Sequence, residues 1–189
     1  MSDIQRPLAE SYWVEPGRFL AGEYPGHYDA EQARRRIDTL IEAGFNAFID
    51  LTKANELSPY QEILKERAWV YGIDAQYYRF PIGDFGLPTD GQMKAILDHI
   101  DETLGAGRKI YLHCWGGIGR TGTTVGCYLV RHGLEGDEAL RQLAQWWREV
   151  PKSRIHPYSP ETLEQMVFVR DWGRHENPQT PDFDSLENH

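Results

Sequence analysis

The chain has 189 residues and two cysteines, Cys114 and Cys127, and only the first has an arginine six positions downstream, at Arg120. The five residues between them, Trp115, Gly116, Gly117, Ile118 and Gly119, include three glycines. A loop this short and permissive can turn successive N–H groups inward as an anion-binding nest. Arg120 can add a planar fork that grips two oxygens of one anion. A cysteine beside a cation and a helix N-terminus is favoured as thiolate, the nucleophilic form. Such a cup would hold a phosphate's oxygens and keep an activated nucleophile beside them.

The elements that must position this cup are legible around it. In the run IYLHCWGGIGRTGT, Lys109 to His113 predicts a short buried strand, Trp115 to Gly119 a turn, and Thr121 to His132 a buried helix stopped by Gly133. The cysteine then sits at the carboxyl end of a strand, where ligands gather in open α/β sheets. Asp29 with Gln32 resembles a capping box, followed by Ile37, Leu40 and Ile41 at helical spacing as far as Gly44. Phe45 to Leu51 is apolar enough for a buried strand. Thr89 with Gln92 repeats the capping signal, and Met93, Ile96, Leu97, Ile100 and Leu104 form one stripe ending at Gly105. A further helix is expected from Asp137 to Glu149. Ser159, as cap before Pro160, is expected to open a last helix carrying Leu163, Met166, Val167 and Val169. Helices alternating with short buried strands make this an α/β protein with a central, mostly parallel sheet of four to five strands flanked by helices on both faces.

HCWGGIGRT resembles the HCxxGxxR(S/T) signature of cysteine-based protein-tyrosine and dual-specificity phosphatases. The segments PGRFLAGEYPG, FNAFIDLT, FPIGDFGLPTD and SPETLEQMVFV follow in family order, so the resemblance covers about Tyr12 to Trp172. It looks closest to the compact branch that includes cyclin-dependent-kinase-associated phosphatases and prokaryotic relatives. The resemblance implies that Cys114 forms a thiophosphoryl enzyme and that Trp115, Gly116, Gly117, Ile118, Gly119 and Arg120 cradle the phosphate oxygens. It further implies that Thr121 hydrogen-bonds the sulfur and that His113 orients the loop. No metal or other cofactor is expected.

Phosphoryl transfer also calls for a proton donor at the departing oxygen. Asp84, among Pro81, Gly83, Gly86 and Pro88, lies on what reads as a shaped loop after a strand, where the family places its general acid. Asp90 is the rival, but it follows Thr89 at a helix start, where a carboxylate serves the helix dipole. Gln165, in the last helix, is similar to a residue that positions water in the family; the alternative is an exposed helical glutamine, with Thr162 as a cap.

Composition narrows the partners. A net charge of −9 and a pI near 5.2 argue against nucleic acid. No apolar stretch reaches membrane-span length and no secretory signal opens the chain, so a cytoplasmic protein without membrane partners is expected. One domain, residues 11–172, is expected between a flexible N-terminus, 1–10, and a polar C-terminal tail, 173–189. The expected partners are a phosphorylated protein or small phosphomonoester, with phosphate or sulfate able to occupy the site.

Other features are set aside. Cys127, two turns along the helix after Arg120, is too far for a disulfide with Cys114 and reads as a buried apolar cysteine. Arg34, Arg35 and Arg36 point in different directions from one helix, the histidines have no metal spacing, and Trp146 with Trp147 reads as packing. Protein-tyrosine phosphatase activity with possible dual specificity is the leading function. The cup carries no lysine at 115–119, which disfavours the alternative of a phosphoinositide, inositol phosphate or nucleotide phosphatase. A phosphoprotein-binding pseudophosphatase is the alternative of another class, disfavoured because Cys114, Arg120 and Asp84 are all present.

Overall fold

The structure is a computed structural model that describes residues 5–176. Strands β1 (Ser11–Glu15), β2 (Phe19–Gly22), β3 (Ala47–Asp50), β4 (Gln76–Arg79) and β5 (Ile110–His113) form one sheet in the order β1-β2-β5-β3-β4. Only the edge pair β1 and β2 is antiparallel, so the expected mostly parallel, five-stranded α/β sheet is what forms. Among the described residues six α-helices cover it: α1 (Ala30–Glu42), α2 (Gln61–Tyr71), α3 (Asp90–Gly105), α4 (Gly119–Arg131), α5 (Gly136–Arg148) and α6 (Leu163–Glu176).

Strand alternation decides which side chains meet which helices. Leu20, Tyr111, Phe48 and Tyr77 stand in register on one face and pack under Ile37, Leu40 and Leu64 of α1 and α2. The neighbouring rows, Phe19, Ile110 and Ala47, then Ala21, Leu112 and Ile49, point to the other face. There they meet Met93, Ile96, Val125, Leu143, Val169 and Trp172 from α3 to α6. With both faces covered, the central strands read as continuous apolar runs.

The capping signals hold at two helices. Asp29 accepts the Glu31 amide at 2.9 Å, and Thr89 with Gln92 closes a reciprocal capping box on α3. At the last helix the expectation fails. α6 starts at Leu163, four residues beyond Ser159, with Thr162 Oγ1 accepting the Gln165 amide at 3.2 Å; the Ser159 hydroxyl instead donates to the Ile118 carbonyl at 2.8 Å. α6 also runs past Gly173 to Glu176, where Trp172 Nε1 donates to the Glu176 carboxylate at 3.0 Å. Residues 177–189 of the expected tail, and 1–4 of the expected N-terminus, lie outside the described residues. The rest of that N-terminus is tied down, since Arg6 donates to the Ser11 carbonyl at 2.9 Å and Glu10 accepts the Lys152 amide at 3.0 Å. Among the described residues no helix is long and apolar enough to cross a membrane.

The remaining expectations have simple outcomes. Cys127 is a free, buried cysteine whose thiol burial pushes well up in pKa. Trp147 packs edge-on against Tyr12, Trp146 stacks on the same ring, and Arg34 bridges α1 to Glu66 of α2.

Candidate active site

The sheet register aligns Gly22, His113, Asp50 and Arg79 as the last residues of four adjacent strands. Cys114 follows His113 directly, so its side chain emerges at the carboxyl edge of the central strand, 2% exposed. The chain then turns through 115–118 and enters α4 at Gly119, two residues earlier than the sequence suggested. Ile118 precedes that helix with no side chain capping it, which leaves the first-turn N–H groups to the loop.

Four contacts aim this loop. His113 Nδ1 bonds the Cys114 carbonyl at 3.2 Å, the Tyr24 amide bonds the Trp115 carbonyl at 2.9 Å, and Lys152 Nζ bonds the Gly116 carbonyl at 3.2 Å. Ser159 Oγ takes the Ile118 carbonyl. With these carbonyls engaged, the N–H groups on the opposite sides of the same peptide planes point away from those partners. Among the described residues, no amide from Trp115 to Arg120 donates to a protein acceptor. Gly117 makes the tight bend at φ +74°, where a Cβ would lie 2.5 Å from the Gly22 carbonyl carbon.

Arg120 comes from the first turn of α4 and is 2% exposed. Its Nη1 donates to Glu56 Oε2 at 2.9 Å and to the Ile82 carbonyl at 3.1 Å. Its Nη2 donates to Glu56 Oε1 at 2.7 Å and to Asp84 Oδ1 at 3.1 Å. Burial opposes ionisation of Glu56, but the Arg120 hydrogen bonds and the Lys53 amide hold its carboxyl below the usual range. Sequence reasoning passed over Glu56; its only signal was an acid in the polar segment after β3.

Asp84 occupies a turn closed by the Gly86 amide on the Gly83 carbonyl at 2.9 Å, with Phe85 held at φ +55°. Asp90 caps the dipole of α3 and pairs with His175 at 3.1 Å, outside the cavity. A cavity of about 320 Å³ opens over Cys114 and is lined by Asp84, Phe85, Trp115, Arg120 and Glu161 among others. Trp115 is half exposed and also walls a second cavity with Tyr24, Tyr28 and Leu57, so its ring does not pack behind the loop.

His113 is fully buried. The Cys114 carbonyl can only accept, so Nδ1 carries the proton and Nε2 accepts from Tyr60 Oη at 2.7 Å. Burial lowers its pKa against the opposing pull of Asp50, which keeps the ring neutral. Asp50 is itself buried. Burial opposes its ionisation, but the hydrogen bonds from Tyr77 and Thr52 favour the carboxylate and its pKa is lowered. Tyr77 Oη reaches it at 2.6 Å, Thr52 Oγ1 at 2.7 Å and Arg79 at 3.1 Å.

Two expectations need correction. Thr121 Oγ1 is buried without a hydrogen-bond partner among the described residues, so the expected bond to sulfur is not formed. Gln165 is no exposed helical residue: it is fully buried, and its side chain is engaged by the backbone. Its Oε1 accepts the Glu161 and Thr162 amides at 3.0 and 3.2 Å, and its Nε2 donates to the Gly86 carbonyl at 3.2 Å. It does not line the cavity. Lys152, His156 and Glu161 do, and none was singled out in the sequence.

A mostly parallel sheet whose central strand delivers a cysteine to a glycine-rich loop, with an arginine in the next helical turn, defines the protein-tyrosine-phosphatase fold. The family model described as PTP-SAK, a Swiss Army Knife DSP-PTPase phosphatase domain, matches residues 8–164, and the chain belongs to that family. It is 28% identical over 130 residues to the dual specificity protein phosphatase CDC14A of Mus musculus, covering 64% of this chain and 19% of that protein. To CDC14C of Homo sapiens it is 43% identical over 130 residues, 64% of this chain and 26% of that protein. The chain thus corresponds to about a quarter or less of these relatives' length. The crystal structure of Tk-PTP in its active form superposes with a TM-score of 0.64 at 27% identity, over 86% of this chain and 95% of that one.

Proposed function

We propose that the chain hydrolyses phosphomonoesters through a cysteinyl-phosphate at Cys114, acting on phosphotyrosine with possible dual specificity. The observation that carries this is a cavity over Cys114 walled by the 115–120 loop, whose amides are not spent on protein acceptors among the described residues, with Arg120 held beside it by Glu56.

In this reading, two phosphate oxygens bind the Arg120 fork, one of them taking the place of Asp84 Oδ1 on Nη2. Cys114 sulfur attacks phosphorus as the ester P–O bond breaks, and Asp84 delivers a proton to the departing oxygen. Water then attacks the thiophosphate, Asp84 recovers a proton from it, and the S–P bond breaks to release inorganic phosphate. His113, neutral and anchored by Tyr60, fixes the Cys114 carbonyl and so the direction of the loop. Gln165 holds the acid-bearing turn through Gly86 and acts on position, not on water. The family assignment supports a phosphatase, and the presence of Cys114, Arg120 and Asp84 along one cavity speaks against a pseudophosphatase, which would typically lack one of them.

Steady-state kinetics with a phosphotyrosyl peptide test the reading. Cys114→Ser should abolish turnover while still binding phosphate, and Asp84→Asn should lower kcat by about 10²- to 10⁴-fold. Unchanged kcat in either variant would refute the assigned role.

A further inference from the structure

The cavity over Cys114 contains a second carboxylate for which the steps above have no use. Glu161 Oε2 lies over the first residue of α4, 3.2 Å from where a Cβ on Gly119 would stand. Its backbone amide is fixed by Gln165 Oε1 at 3.0 Å, so the side chain projects from a rigid root. Burial raises its pKa above the ordinary carboxylate value and Asp84 adds to this, while His156 and Arg120 favour the charged form.

The cations near this wall are already committed. Arg120 gives both terminal nitrogens to Glu56, and Lys152 Nζ is held by Glu23 at 2.7 Å and by the Gly116 carbonyl. Once a phosphate occupies the cup, the cavity wall beside it carries the carboxylates of Asp84 and Glu161, with His156 in the lining and Lys53 Nζ outside it, beside Gly83. A second phosphate there would meet like charge in a partly enclosed space, whereas a guanidinium or ammonium would be attracted. The net charge of −9 acts in the same direction at longer range.

We propose that Glu161 sets substrate choice in this site, favouring a phosphopeptide with Lys or Arg beside the phosphorylated residue and rejecting substrates with a second phosphate close to the first. This rests on the phosphatase reading and adds a substrate class to it. Charge at position 161 is what discriminates, so removing the charge while keeping the shape should erase the preference.

The test compares kcat/KM for three substrates: a phosphotyrosyl peptide flanked by arginines, the same peptide flanked by glutamates, and a soluble inositol bisphosphate. The protein should prefer the arginine peptide over both others by about 10-fold or more at low ionic strength, and the preference should shrink in roughly 0.5 M salt. Glu161→Gln should reduce the arginine-to-glutamate ratio by about 5-fold or more, with Glu161→Asp keeping most of it. A salt-insensitive ratio, a ratio unchanged in Glu161→Gln, or an equal loss on all three substrates overturns the proposal. Turnover of any of them by Cys114→Ser would instead refute the phosphatase reading itself.

Discussion

Glu56 grips Arg120 as a two-pronged fork, Oε1 to Nη2 at 2.7 Å and Oε2 to Nη1 at 2.9 Å, across 64 positions of chain. The pair fixes the plane of the guanidinium before any phosphate arrives. Glu56→Ala should therefore lower kcat/KM for a phosphopeptide by about 10- to 100-fold, the cost of a misoriented rather than a missing group. Glu56→Gln should recover part of this. Wild-type rates in the alanine variant would show that the fork is ornamental.

The same pair makes a pH prediction. The folded pKa of Glu56 lies below its unfolded value of about 4.3, so the unfolded chain takes up the proton first as pH falls. The stabilisation is complete above roughly pH 4.5 and is lost as pH falls through the folded value. His113 works at higher pH. Burial depresses its pKa below about 6.5, so stability should already decline as pH is lowered from there, and the buried, neutral ring resists charging. Denaturant titrations between pH 7.5 and 5 should show this slope, reduced in His113→Gln; an identical slope in the variant would assign it to other groups such as His99, whose pKa burial also lowers.

The loop glycines should not be equivalent. Gly117→Ala places a Cβ against the Gly22 carbonyl and the Glu23 amide at φ +74°, whereas Gly116→Ala meets only the flexible Ile118 side chain at 3.3 Å. Gly117→Ala is expected to lower both stability, by about 1–3 kcal/mol, and kcat/KM, with Gly116→Ala much milder. Thermal melts and kinetics of the two variants side by side check the ranking.

Gln165 separates two roles cleanly. As a clamp on Gly86, its replacement by alanine leaves buried backbone groups unpaired and should cost about 1–3 kcal/mol of stability while slowing both phosphoryl steps together. A role in positioning water would slow only the second step, and stopped-flow traces would then show a burst followed by slow turnover.

Much of this was legible beforehand, for identifiable reasons. The strand, loop and helix around Cys114 could be read because a buried strand, glycines and a buried helix follow one another in a few residues with little room for other arrangements. The turn that carries Asp84 to the cavity could be read because glycines and prolines mark it. Glu56, Glu161 and Lys152 could not, since each is an ordinary surface-type residue whose meaning comes only from long-range packing; Glu56 meets Arg120 across 64 positions of chain. α2 escaped notice because its apolar residues do not gather on one clear stripe: Leu64 and Ala68 are buried while Trp69 and Val70 are exposed. The start of α6 was misplaced because Ser159–Pro160 looks like a helix opening, and only the Ile118 carbonyl reveals where that hydroxyl is spent.

The central claim is that sulfur at position 114 takes the phosphoryl group. Rapid acid quenching after mixing with a phosphotyrosyl peptide labelled at phosphorus, followed by peptide mapping, tests it most directly. A transient label on the peptide containing Cys114, missing in Cys114→Ser and chased by further turnover, is the expected result. Product formation with no labelled enzyme at any time, or label on another residue, would contradict it.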